Sequence, residues 1–174
     1  GPAVKEAVPT TLVWDHGGEA GVYRRLGRLL TSASALLKEI RPSAAGIEAP
    51  MQAFPDAPVS QATLRALTGG AMLVGAVCDL RGVHDVRITD VQEIRAHFLD
   101  KRTFRKSYDP VARREISSRD MAKAAVMNMC RMRGWKVQDN NAGDAAAGWS
   151  WLCAQLDSRL AAFATPLFQT RKST

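Results

Sequence analysis

From Val22 the apolar positions Leu26, Leu29, Leu30, Ala33, Leu37 and Ile40 recur at helical spacing, while Arg24, Arg25, Arg28 and Lys38 decorate the other side. This pattern predicts an amphipathic helix that starts at Gly21 and is broken by Pro42. The next apolar run, Ala44-Ala45-Gly46-Ile47, lies between Pro42 and Pro50 and ends on Glu48, which predicts a buried strand whose last residue emerges at the sheet edge. After a Pro-containing loop over 51–59, Ser60 can cap a long helix running to about Arg81. Its Ala62, Ala66, Leu67, Gly70, Ala71, Val74, Val77 and Cys78 are small or apolar, so it is either the central core helix or part of a subunit interface.

Val86-Arg87-Ile88 predicts a short strand, and Val91, Ile94, Phe98 and Leu99 mark a short helix. Upstream, Thr10-Thr11-Leu12-Val13-Trp14 is β-branched and aromatic and is followed by Gly17-Gly18, which predicts one more strand. Ser117 with Asp120 gives a capping-box-like start to a helix with an apolar face of Ala122, Ala125, Val126, Met129 and Cys130, ended by Gly134. Trp135-Lys136-Val137 reads as a short extended segment. A last helix, from about Asn141 to Ala162, is expected to bury Ala145, Trp149, Leu152, Cys153, Leu156 and Leu160, with a flexible tail over 163–174. The order of the Thr10–Trp14 strand, the first helix and the strand ending on Glu48 predicts parallel strands with a right-handed crossover, and the alternation along the chain an α/β fold.

Charge changes the picture. The 174 residues, enough for one domain, carry 24 Lys+Arg against 17 Asp+Glu, and a net charge of +7 points to a polyanionic partner, most often nucleic acid. The excess concentrates between Asp100 and Arg119, where Lys101, Arg102, Arg105, Lys106, Arg113, Arg114 and Arg119 face only Asp109 and Glu115. This stretch is expected to be a solvated loop, either a generic charged surface or a phosphate-contacting segment whose Phe104 and Tyr108 stack on bases or sugars. Cys78, Cys130 and Cys153 show no metal or disulfide spacing and read as small buried hydrophobes. His16, His84 and His97 show no metal spacing, and Walker, GxGxxG and GxSxG motifs are absent. With no uninterrupted run of 18 apolar residues and no leader-like start, the expectation is an intracellular protein without a membrane. Gly1-Pro2 resembles the remnant of a cleaved tag, so the natural start is expected to lie upstream.

Two acids stand out. Glu48, at the end of an apolar strand, is costly there unless a cation compensates it, which suggests a metal ligand or general base. Asp144 falls in the first turn of the last helix among small residues; by itself it reads equally as a complement to the helix dipole, and Asp139 and Asn141 as caps. Together, Glu48 and Asp144 can converge on divalent cations, two of which about 4 Å apart would activate water for phosphodiester hydrolysis.

Arg41-Pro42, Ala45-Gly46-Ile47-Glu48-Ala49-Pro50-Met51, Lys123-Ala124-Ala125-Val126 and Gly134-Trp135 leading to Asp139-Asn140-Asn141-Ala142-Gly143-Asp144-Ala145 occur in this order. In order and spacing they resemble the phage and bacterial RuvC-like Holliday junction resolvases. The resemblance implies a single RNase H-like domain, its mixed sheet flanked by helices on both faces, in a homodimer of the bacterial nucleoid, a phage or an organelle. It implies a crossover junction endodeoxyribonuclease acting on branched double-stranded DNA with Mg²⁺ or Mn²⁺. By position it makes Glu48 and Asp144 catalytic and metal-binding and adds Asp139 as a further metal ligand. Lys101, Arg102, Arg105, Lys106 and Lys123 are then expected to contact phosphates. The family's first strand and its Asp have no match in this sequence, and Asn141 fills an intermediate position near Asp144. The alternative is a catalytically inactive DNA-binding or scaffold protein on the same fold.

Overall fold

Gly21 and Pro42 bracket the first helix, α1 (Val22–Ile40), as the punctuation predicts. Arg41 closes it in the left-handed region at φ 45°, its N–H donating to the Leu37 carbonyl, before Pro42 turns the chain out of the helix. The computed structural model describes residues 9–12, 21–50, 60–110 and 113–157. The strand expected at Thr10–Trp14 is not formed by residues 10–12, which are irregular, and its last two residues lie outside the described ones. Also outside them are the loop over 51–59 and everything beyond 157, including the expected tail.

The chain divides into two compact units, one spanning Trp14–Val91 and the other Gly1–Val13 with Gln92–Thr174. In the first, β1 (Ala44–Glu48) pairs in parallel with β2 (Asp85–Thr89), and α2 (Gln61–Leu80) is the crossover between them. Ser60 caps α2 by accepting the Thr63 N–H at 3.1 Å. Gly69 and Gly70 lie under Leu26 and Leu29 of α1, where an added Cβ would sit 3.4 Å from each leucine, and Ile47 of β1 rests over Gly75. Small residues thus set how closely α2 approaches α1 and the sheet.

Gly70, Val77 and Cys78 are buried, but Met72 is 71% exposed and Leu80 82%, so α2 is not a central core helix. Although no unbroken apolar run marks it in the sequence, its length and composition would suffice to cross a membrane. Here one side of it is seated on α1 and β1. Leu30 and Ile40, assigned by spacing to the buried face of α1, are exposed as well.

The second unit contains α3 (Val91–Leu99), β3 (Ser107–Asp109), β4 (Arg114–Ile116), α4 (Ser118–Met132) and α5 (Asn140–Leu156). The basic stretch expected to be a loop instead holds an antiparallel hairpin, with Ser107 opposite Ile116, Tyr108 opposite Glu115 and Asp109 opposite Arg114. A 2.8 Å ion pair between Lys106 and Glu115 lies across it. The α/β class therefore holds, while the described strands form two separate two-stranded sheets, one parallel and one antiparallel.

Helix α5 buries Leu152 as its spacing predicts, but most of its inward face is made of small residues. Ala145 is exposed and Trp149 half-buried, whereas Ala142, Gly143, Ala146, Ala147, Ser150 and Trp151 are buried. The reason is close approach by α4: a Cβ added at Gly143 would lie 2.8 Å from the Met127 sulfur and 3.5 Å from Val126 Cγ1. Beside this seam Trp135 stacks on Phe98 at 5.5 Å and meets the edge of Trp149 at 5.8 Å. The Arg133 guanidinium covers the Phe98 ring at 4.5 Å.

Gly143→Val should therefore cost about 1–3 kcal/mol of overpacking strain, read as a lowered melting temperature. Gly143→Ala should be nearly neutral, because the thioether end of Met127 can swing aside, and a pairing with Met127→Ala should restore much of the valine loss. Equal destabilisation by Ala and Val would contradict this packing.

Candidate functional site

Asp144 sits one turn into α5, half-buried beside the α4 seam. Burial raises its carboxyl above the ordinary carboxylate range, and the positive charges of Arg95, Lys123 and Arg119 partly pull it back. Arg119 and Lys123 are one turn apart on α4 and so share a face, while Arg95 comes from α3. Two helices, α3 and α4, thus deliver three cations to the surroundings of a single half-buried acid on α5. Arg95 Nε is buried without a hydrogen-bond acceptor among the described residues. A group of this composition, with positive charge in excess and an N–H wanting an acceptor, suits an oxyanion such as a phosphodiester.

Asp139 has a structural task. It is the N-cap of α5, and its Oδ1 accepts the Ala142 N–H at 2.8 Å. Asn141 is exposed in the first turn. Glu48 closes β1, is exposed, and stands in register with the buried Thr89 of β2, whose carbonyl takes the Ala49 N–H at 2.7 Å. Glu48 belongs to the first unit, Asp139 and Asp144 to the second. Among the described residues no three His, Cys, Asp or Glu side chains come together in a metal-binding group.

The expected phosphate contacts divide into two sets. Lys123 is half-buried near Asp144, while Lys101, Arg102, Arg105 and Lys106 are exposed on the approach to the hairpin. Two of these are engaged locally, Lys101 over the Phe104 ring at 4.6 Å and Lys106 with Glu115. Arg95, which sequence reasoning did not single out, and Arg119, which it counted in the basic segment but not among the expected phosphate contacts, are the additional members of the Asp144 cluster. The one signal for them was spacing, since Arg119 precedes Lys123 by four residues on a predicted helix.

The two described histidines make local contacts. His84 Nδ1 lies 3.0 Å from Asp79 on the surface. His97 is half-buried, with its Nε2 3.4 Å from Ser150 Oγ, and burial followed by the Arg133 charge holds it below its ordinary value. Cys78 and Cys130 are buried and Cys153 half-buried, all free thiols raised by burial.

A carboxyl whose folded-state pKa is raised binds protons more readily folded than unfolded, so it favours the fold increasingly as pH falls toward the unfolded value. In chelator-containing buffer Asp144→Asn should raise the melting temperature at neutral pH, with the gain fading as pH drops and gone below about 3.8, the unperturbed carboxyl value. A melting temperature lowered by the substitution at neutral pH would mean that the three cations outweigh burial.

No protein-family model matches the chain, and no curated protein matches it. Among solved structures it is similar to RuvC of Thermus thermophilus, with a TM-score of 0.53 and 14% sequence identity over 86% of this chain and 86% of that one. At that identity the likeness is one of fold: the chain has an α/β fold similar to that of RuvC.

Proposed function

We propose that the protein is a structure-selective endonuclease that cleaves branched DNA, four-way junctions in particular, in the manner of the RuvC-like Holliday junction resolvases. The observation that carries this reading is the gathering of Arg95, Arg119 and Lys123 about Asp144, at the position where the family resemblance puts a catalytic acid, on a fold similar to that of RuvC. The cations would hold a phosphodiester and stabilise the charge that builds on its oxygens during attack. Asp144, with its raised proton affinity, is suited to take the proton of the attacking water.

The resemblance also implies Mg²⁺ or Mn²⁺, with Glu48, Asp144 and Asp139 as ligands. The described donors do not fit such a centre by themselves. Asp139 spends one oxygen on its cap, Asp144 has three cations around it, and among the described residues no three acids form a metal-binding group. That shortfall specifically favours a second reading, a junction-binding protein on the same fold that does not cut.

The two readings separate on synthetic four-way junctions incubated with Mg²⁺ or Mn²⁺. A nuclease should release nicked duplexes, and Glu48→Gln or Asp144→Asn should lower cleavage by about a hundredfold or more, the scale on which losing one essential acid–base group acts, while leaving junction binding in place. Tight binding with no cleavage by the wild type would select the second reading; no preference for junctions over linear duplex would sink both.

The reading includes a homodimer. Thr68, Met72, Ala76 and Leu80 recur every four residues along one exposed stripe of α2, which supplies an apolar seam for a second copy. Met72→Asp combined with Leu80→Asp should convert a dimer into a monomer in analytical ultracentrifugation without lowering the helical circular dichroism signal. A wild-type monomer at all accessible concentrations would remove the dimer from the proposal.

A further inference from the structure

The β3–β4 hairpin exposes side chains on both of its faces: Ser107, Tyr108, Arg114 and Glu115 are all exposed. Tyr108 is 62% exposed, so it contributes little burial to the fold. Phe104, the other aromatic of the basic segment, is half-buried, and Lys101 lies over its ring. Tyr108 makes no ring contact among the described residues. Its cross-strand neighbour Glu115, which would repel a polyanion, is neutralised by Lys106 at 2.8 Å. Arg105, Arg113 and Arg114 are exposed in the same segment, Arg114 next to Glu115 on the opposite strand.

An exposed aromatic ring on a short hairpin, in an arginine-rich segment and with its cross-strand acid paired off, matches a ligand that offers a flat π-face and phosphates side by side. Within a linear duplex the base faces are stacked on one another, and only at a branch, gap or end does a base present a free face. We infer that Tyr108 stacks on a base exposed at the branch point of DNA, with Arg105, Arg113 and Arg114 holding the flanking phosphates. The hairpin is then the element that tells branched DNA from linear duplex. This inference rests on the proposed action on branched DNA and concerns binding, not cutting. It also divides the labour within the basic segment: Lys101 and Lys106 brace it, while Tyr108 and the arginines meet the ligand.

The test is binding of the full chain, in EDTA, to an immobile four-way junction carrying 2-aminopurine beside the branch point and to a linear duplex of matched sequence. Tyr108→Leu should weaken junction binding by on the order of tenfold to a hundredfold, the scale of losing one aromatic–base stack, and should leave duplex binding unchanged. It should also remove the change in 2-aminopurine fluorescence that the wild type induces, whereas Tyr108→Phe should behave as wild type. An unchanged melting temperature shows that the hairpin variant is folded. Equal losses on junction and duplex, or no loss on either, overturn the inference while the nuclease proposal stands or falls separately on cleavage. Failure of the wild type to bind branched DNA at all overturns both.

Discussion

The close contact of α4 with α5 is the constraint on which the second unit depends. Gly143 leaves no room for even a methyl group without displacing the Met127 sulfur, and Ala142, Ala146, Ala147 and Ser150 extend the same thin seam. Because the helices meet so closely, Asp144 cannot stand free in solvent and is half-buried next to the face of α4 that carries Arg119 and Lys123. Packing here generates the electrostatics. A larger residue at 143 would push α4 away and relax both the burial that raises the acid and the cations that counter it.

The excess of positive charge in this cluster differs in kind from that along the basic segment. Near Asp144 the charges are held by two helices and one guanidinium nitrogen is buried, so solvent and salt screen them less than they screen an open surface. Along the hairpin the cations are exposed, and their pairing with Phe104 and Glu115 is worth little in water. The half-buried cluster and the exposed hairpin therefore present positive charge in two physically different settings.

Much of the fold was legible in the chain. Apolar spacing marked α1, α2, α3 and α4, and Ser60 and Ser117 marked the starts of two of them, because caps and periodicity are local signals. The order of elements pointed to a crossover through α1 from a strand at Thr10–Trp14, whereas the parallel pair is β1–β2, with α2 as its crossover. The hairpin was not legible: each strand has three residues, mostly charged or polar, and the pairing lies in their register rather than in any alternation of apolar side chains. The inward face of α5 was legible only in part: Leu152 is buried as its spacing predicts, but Ala145 is exposed while Ala142, Gly143, Ala146 and Ala147 are buried, because close helix packing selects small residues. Of the site, Glu48 and Asp144 stood out as acids, but the cations around Asp144 depended on α3, α4 and α5 meeting in space. Asp139 showed its capping role only once its oxygen was seen on the Ala142 N–H.

That the cluster about Asp144 receives the phosphates of branched DNA is tested most directly by the salt dependence of junction binding. Fluorescence anisotropy across a range of salt concentrations should give a linear fall of log affinity with log salt, and Arg119→Gln with Lys123→Gln should make that slope shallower by about 2, one for each lost phosphate contact. A slope unchanged by the double substitution would show that these cations serve only the fold.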